Sequence, residues 1–331
     1  MIYTCVLISL LVTLIATSWI WVPVVIFTAP LWIGGLLALY ILLKALGLWK
    51  WVTRMIGDAY DWLMFRSDKP RKYIWQKFYN FLCWMFPQGE WKTMNYGYAV
   101  HTETGHTIVL DPDEETERFS YQLYHYMATG FKKFPNLQGM DIVEVGSGRG
   151  GGLAYVVKYL KPKSALGVDY SKQQVSFCNE TYNKIENLKY VWGDAENLPI
   201  SDGVVDLVLN VESSHCYGNQ RAFVAEVERI LKPGGHFLIT DFMATTELGD
   251  YEEILKSGNL EMVTKNDVTE NVLMSLKLDS NRRLDLIQQR TPRFLHSILK
   301  KFSGVEGSNI YNQLESQDTV YVAYHLVKKK E

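Results

Sequence analysis

The first 43 positions carry no charged side chain and are dominated by Leu, Ile, Val and Trp. As helix such a stretch extends about 65 Å at ~1.5 Å per residue, roughly twice a 30 Å hydrocarbon core. Pro23 and Pro30 bracket a break, so the pattern predicts a transmembrane helical hairpin, about residues 2–22 and 30–46. One span plus an interfacial segment is the alternative, and a buried soluble helix pair ranks third. A secretory leader would have a basic start and a shorter apolar run. Polarity then reverses. Lys44, Lys50, Arg54, Arg66, Lys69, Arg71, Lys72 and Lys77 are opposed before residue 80 only by Asp58, Asp61 and Asp68, and Trp49, Trp51, Trp62 and Trp75 interleave with them. Basic residues beside a span mark its cytoplasmic side. The mixture suits a helix lying on anionic lipid; a solvated linker helix is the plainer reading.

Further along, residues 80–140 read as helical and irregular, with one helix from Glu114 to about Phe134. From 141 to 242 short apolar runs alternate with helical spacing, which predicts an α/β domain with a parallel sheet. Residues 245–300 look mostly helical, with helix-type spacing at Val272–Leu276 and Leu284–Ile287, and read as an inserted cap. Thr319–Val327 alternates as a last strand. The expected division is 1–46 as membrane segment, 47–100 as a basic and aromatic juxtamembrane and lid region, and 101–331 as the main domain.

The chemistry concentrates at strand ends. Asp141–Val145 runs into Gly146-Ser147-Gly148-Arg149-Gly150-Gly151-Gly152, and Asp169 ends the next apolar run, Ala165–Val168. A glycine turn before a helix, with an acid on the second strand, holds a nucleotide-like ligand at the first crevice of a doubly wound sheet. Gly146, Gly148 and Gly151 satisfy the dinucleotide pattern, but that pattern alone is weak. Glu144 argues for a cationic ligand tail and against a pyrophosphate. S-adenosylmethionine (SAM) carries an amino-acid tail and a sulfonium. Gly193-Asp194-Ala195 closes the third strand, and Leu231-Lys232-Pro233-Gly234-Gly235 announces the fifth.

Together these segments resemble a class I SAM-dependent methyltransferase, a Rossmann-like sheet with a helical cap. Three strings, Tyr121–His125, Asn210–Tyr217 and Gly304–Tyr311, narrow the resemblance to the phthiotriolone and phenolphthiotriolone dimycocerosates methyltransferases, which O-methylate a long-chain lipid alcohol. It covers roughly residues 87–328 and not the apolar N-terminus. It implies an antiparallel last strand. It places Gly146, Ser147, Gly148 and Gly150 along the methionyl part, with Glu144 and Asn210 in the cofactor site. Asp169 takes the ribose, with Tyr170 beside the adenine, and Asp194 and Ala195 read the adenine edge. Tyr96 and Tyr98 form a lid over the sulfonium, where an aromatic face favours a cation.

Methyl transfer to a hydroxyl needs alignment, dryness and a proton acceptor. In this fold the residues after the fourth strand face the methyl group. His215 is the first candidate base, with Glu212 orienting it or closing the cofactor site, and His125 is the second; the plainer reading of each histidine is a structural polar residue. The expected acceptor is hydrophobic. C-methylation of a sterol or isoprenoid alkene is an alternative, as is a membrane protein that binds SAM without turnover. A net charge of −2 gives no field for nucleic acid. Cys5, Cys83, Cys178 and Cys216 form no C-x-x-C pair, and no side-chain set has metal-ligand spacing. Aromatics are 13% of the chain, including 10 Trp, which suits an apolar cavity or a bilayer interface. The expected location is a membrane, the catalytic domain facing the cytosol (at the endoplasmic reticulum in a eukaryote). Oligomeric state is not legible.

Overall fold

The computed structural model describes residues 35, 38–61, 68–86, 91–132 and 134–330. The chain divides into two compact units, one ending at Leu63 and one beginning at Met64. The expected hairpin of residues 1–46 lies mostly outside the described residues. Among the described residues no helix is long and apolar enough to cross a membrane. In the first unit, helix α1 spans Trp49–Asp61. The ring of Trp49 meets that of Tyr40 edge-on at 4.6 Å.

The second unit opens with helix α2, Asp68–Met85, and then α3, Arg118–Thr129. The strands are β1 Asp141–Val145, β2 Ser164–Asp169, β3 Leu188–Trp192, β4 Val205–Val211, β5 Leu231–Ala244, β6 Leu260–Asp267 and β7 Thr319–Lys328. Between them run α4 Gly151–Tyr155, α5 Lys172–Thr181, α6 Gln220–Ile230, α7 Leu248–Leu255, α8 Thr269–Arg290, α9 His296–Phe302 and α10 Asn309–Glu315. The seven strands form one sheet in the order β3-β2-β1-β4-β5-β7-β6. β1 to β5 pair in parallel, and β7 is antiparallel to both β5 and β6. This is the sheet of a class I methyltransferase, with the last strand reversed as expected. Strand order turns back between β1 and β4, which opens a crevice at their carboxyl ends.

Alternation along the strands feeds two core layers. Leu207, Leu209 and Val211 of β4 pack with Leu123 and Met127 of α3 and with Val272 and Leu276 of α8. Val205 and Val208 pack on the other face with Phe223, Val224 and Val227 of α6. Each such side chain contributes roughly 1.5–3 kcal/mol by leaving water. Helix starts follow local chemistry: the Ser171 hydroxyl accepts from Gln174 N and the Asn219 side chain from Ala222 N, capping α5 and α6.

One expectation needs correction. The 245–300 region is not wholly helical, because β6 runs from Leu260 to Asp267 and forms the sheet edge. Its residues are mostly half-exposed, so the run lacks strong apolar alternation. What makes it a strand is pairing with the buried β7.

Candidate functional site

The turn after β1 builds the floor of a cavity. Gly146 has φ +75°, and a Cβ there would lie 2.4 Å from Ser213 Oγ. No larger residue fits. Gly146 N and Ser147 N both donate to Val168 O, at 2.8 and 3.1 Å, tying the turn to β2. Gly148 N donates to Asp169 Oδ2 at 2.8 Å, and Ser171 N donates to Asp169 Oδ1 at 2.8 Å. Burial pushes the Asp169 carboxyl up to about 6 despite these two donors. Each carboxylate oxygen keeps a lone pair for a ligand. The cavity holds about 100 Å³ and is lined by the glycine turn, Ser147, Asp169, Tyr170, Asp194 and Ala195.

Glu144 decides what kind of ligand fits. It is fully buried. Its Oε1 accepts from the cavity-lining Tyr124 hydroxyl at 2.6 Å, while Oε2 has no partner. Burial raises its carboxyl to about 8. An unpartnered buried acceptor calls for a cationic donor. Asp169, Asp194 and Glu212 share the lining with it, and of the cations there Lys72 is already paired with Asp194 and Glu196, so the ammonium and sulfonium of SAM suit the site better than a pyrophosphate does. These residues fit SAM.

Helix α2 covers this cavity. Lys72, Trp75, Gln76 and Tyr79, one helical face, line it. Lys72 Nζ lies 2.5 Å from Asp194 Oδ2 and 3.1 Å from Glu196 Oε1, and 4.9 Å from the centre of the Tyr170 ring. Burial disfavours the charge on Lys72, but the two carboxylates outweigh it and its pKa is raised. Gln76 Nε2 donates to Tyr170 O at 2.9 Å, and Ser171 Oγ donates to Asn80 Oδ1 at 2.5 Å. Arg71 Nη2 donates to Gly218 O at 3.1 Å. Arg71, Lys72 and Trp75 therefore face inward and are not free for a lipid surface, as the basic-aromatic pattern suggested. The segment after α2 closes the site. Lys92 O accepts from Gly151 N at 3.0 Å, and Met94 lines the cavity. Buried Glu117 pins this strap by accepting from Lys92 N at 3.0 Å and from the Thr93 hydroxyl.

At the end of β4 the backbone is strained. Glu212 has φ +47° although it is not glycine, and such positions gather at functional sites. Its Oε1 accepts from Tyr96 N and from the Tyr321 hydroxyl, both at 2.6 Å. Burial raises its carboxyl to about 7. His215 stands on a short turn beyond it. Its Nδ1 is 2.9 Å from Asp241 Oδ1, and its backbone N donates to Asp241 Oδ2 at 3.1 Å. Asp241 is 1% exposed and also accepts from Ser214 Oγ at 2.6 Å. Burial works against a charged His215, yet the Cys216 sulfur and the Asp241 carboxylate outweigh it, so the imidazole holds its proton well above the usual range. Aromatic rings pack against it, Trp75 at 5.6 Å and Phe242 at 4.8 Å, with the Tyr96 ring tilted against Phe242 at 5.3 Å. Phe302 packs on Phe78 and Tyr79 nearby.

Several expected roles change. Asp241, not Glu212, orients His215. His215 sits just behind the cavity lining, whereas Glu212, Ser213, Cys216 and Tyr217 are on it. His125 points elsewhere: its Nδ1 is 2.9 Å from the Tyr155 hydroxyl, and burial lowers its pKa. It is not a candidate base. Tyr98 stacks on Tyr126 at 4.5 Å and forms no lid. Tyr96 meets Glu212 through its backbone and Phe242 through its ring, but is not on the cavity lining. Asn210 is buried, with its Nδ2 shared among Val145 O, Ser213 Oγ and the Tyr217 hydroxyl at 2.8–2.9 Å, bracing the wall from behind. Among the described residues no cluster suits a metal ion.

Sequence reasoning missed the inner face of α2 and missed Asp241. Both had signals. Lys72, Trp75, Gln76 and Tyr79 recur at helical spacing, and Asp241 is an acid close behind the apolar run Phe237-Leu238-Ile239, as Asp169 is behind its own.

Comparison with known proteins agrees with this geometry. A family model described as "Methyltransferase domain" matches residues 143–239. The phthiotriol/phenolphthiotriol dimycocerosates methyltransferase of Mycobacterium leprae is 31% identical over 257 residues, 78% of this chain and 93% of that protein. The fatty-acid O-methyltransferase of Mycolicibacterium smegmatis is 32% identical over 238 residues, 72% of this chain and 84% of that one. Among solved structures, a putative sarcosine dimethylglycine methyltransferase from Galdieria sulphuraria superposes with a TM-score of 0.59 at 16% identity, covering 76% of this chain and 98% of its own. The geranyl diphosphate C-methyltransferase from Streptomyces coelicolor gives 0.57 at 15% identity, covering 79% and 99%.

Proposed function

Because the chain belongs to the SAM-dependent methyltransferases, in the family of the mycobacterial phthiotriol/phenolphthiotriol dimycocerosates enzymes, we propose that it methylates an oxygen of a lipid-like acceptor while held at a membrane. When bound, SAM supplies an electrophilic methyl group. The chain's own residues do the rest. Glu144 takes the ammonium tail, Asp169 the ribose hydroxyls, and the Asp194 and Ala195 backbone the adenine edge. Helix α2 and the Lys92–Met94 strap exclude water.

The observation that carries the acceptor class is the His215–Asp241 pair just behind the lining, with the Trp75 ring on the lining and the Phe242 ring both packed against His215. Rings select an apolar body, and the polar pair handles an oxygen and its proton. The relatives named for phthiotriol and for fatty acids support a long-chain acceptor. The charge-free residues 1–43 support anchoring, with the catalytic unit on the cytosolic side. The same rings also suit a carbocation, the C-methylation reading for an alkene acceptor.

Incubation of the full chain with methyl-labelled SAM and a total lipid extract, followed by mass spectrometry, tests this. Label on an ether or ester oxygen of a long-chain lipid is the expected result. Label on carbon would move the assignment to alkene chemistry. No labelled lipid, from protein that binds SAM, would overturn the acceptor class.

A further inference from the structure

Helix α2 has a second face that the cavity does not use. Tyr73, Lys77, Phe81 and Trp84 recur at i, i+4, i+8 and i+11, forming one stripe. Tyr73 is 58% exposed and Trp84 76% exposed. Lys77 Nζ stands 5.0 Å over the Tyr73 ring, and the Phe81 and Trp84 rings lie 6.0 Å apart. A second pair flanks the same helix. Trp192 is 48% exposed, with Lys172 Nζ 5.1 Å over its ring. Its indole Nε1 donates to Tyr170 O at 3.0 Å, the carbonyl that Gln76 of α2 also holds.

We propose that this outer stripe of α2, with Trp192 and Lys172, is a docking surface for an anionic lipid interface. The inference rests on the lipid-acceptor reading above. Charge and ring chemistry identify the occupant. Indole and phenol rings prefer the headgroup depth of a bilayer, where their apolar bodies and polar edges are both satisfied. Lys77 and Lys172 supply the charge that anionic headgroups attract. Both lysines are exposed and each is laid against a ring. The opposite face of the same helix closes the cavity, so docking sets the cover of the active site against the phase that holds the acceptor. The charge-free N-terminal stretch of the chain delivers this surface to a bilayer.

The test uses the full chain in vesicles, with Cys5 and Cys83 replaced by Ser and Trp84→Cys carrying an environment-sensitive fluorophore. Vesicles of phosphatidylcholine alone are compared with vesicles containing phosphatidylglycerol. Tethering by the N-terminus is the same in both, so the label reports docking of α2. The expected result is a blue-shifted, several-fold brighter label on the anionic vesicles. Lys77→Gln with Lys172→Gln should weaken that docking about thirtyfold, the product of two lysine–headgroup attractions. Equal emission on both vesicle types overturns the proposal. So does a label already blue on neutral vesicles and indifferent to the glutamines, which would place residues 1–63 or a second copy on the stripe. SAM binding is measured on the same samples. Intact SAM binding with a wet label overturns the docking surface alone and leaves the methyltransferase reading standing.

Discussion

Lys72 on helix α2 reaches across the cofactor cavity to Asp194 at the end of β3, with Nζ 2.5 Å from Oδ2. The pair spans 122 residues of sequence and joins the cover of the site to its floor. Lys72→Met should loosen this cover. A part-buried, charge-assisted bond is worth about 1.5 kcal/mol or more, so SAM should dissociate about tenfold faster. Stopped-flow displacement of SAM measures this. An unchanged dissociation rate would mean that Gln76 and Asn80 hold α2 without Lys72.

Glu144 should make SAM binding depend on pH. In the ligand-free protein burial holds its carboxyl at about 8, against 4.5 ordinarily. Below about 8 the group is protonated, and taking up an ammonium requires release of that proton. Affinity should therefore rise about tenfold per pH unit from about 6 to 8. Stability of the free protein runs the other way. The unfolded chain releases the proton near 4.5 and the folded one near 8, so stability falls as pH climbs through that window. Calorimetry in buffers of different ionisation enthalpy should report one proton released at about pH 6.5, and none in Glu144→Gln. Equal heats across buffers for the native chain would remove Glu144 from the ammonium site.

His215→Ala should lower turnover by about 10²–10⁴, the usual contribution of a positioned base, with SAM affinity within a few-fold of normal. A base works deprotonated, so the rate should rise with pH along a limb above the ordinary imidazole value of 6.5. Asp241→Asn removes the negative charge that raises His215, and the limb should move toward lower pH. A pH–rate profile with a limb near 7 that survives in His215→Ala would instead assign proton transfer to Glu212, whose carboxyl stands at about 7.

Truncation should separate the units at Met64, inside the expected 47–100 region. Removing residues 1–63 should leave a folded protein that binds SAM, since α2 and its contacts to Tyr170, Ser171 and Asp194 remain. Removing residues 1–86 strips α2 and should weaken SAM binding by at least about tenfold, with two side-chain bonds and an ion pair lost. Equal affinity in the two truncations would show that α2 does not cover the bound cofactor.

Asp169→Ala should weaken SAM binding by about 1.5–3 kcal/mol, the scale of hydrogen bonds to a charged group. The same change frees Gly148 N and Ser171 N, so amide exchange in the glycine turn should quicken. Native affinity in a folded variant would exclude Asp169 from the site.

The sequence by itself determined the parallel part of the sheet and its cofactor end. Glu144, Gly146, Asp169 and Asp194 sit at strand ends, where local chemistry fixes geometry: glycine permits φ +75° at position 146, and strand alternation sends each acid to a known face. A turn and a strand end are decided by neighbours in the chain, so they can be read from it. Only the tertiary structure decided what lies opposite. The pattern at 66–77 placed charge beside rings but not which face turned inward. That was set by Asp194, Glu196 and the Tyr170 carbonyl, all more than 90 residues away in sequence. Asp241 displaced Glu212 as the partner of His215 because β4 and β5 pair side by side, and Glu212 was drawn off to Tyr96 and Tyr321. His125 failed for the same reason, since its side of α3 packs on Tyr155. β6 was hidden because an edge strand takes its conformation from the hydrogen bonds of its partner, and β7 lies more than 50 residues further along.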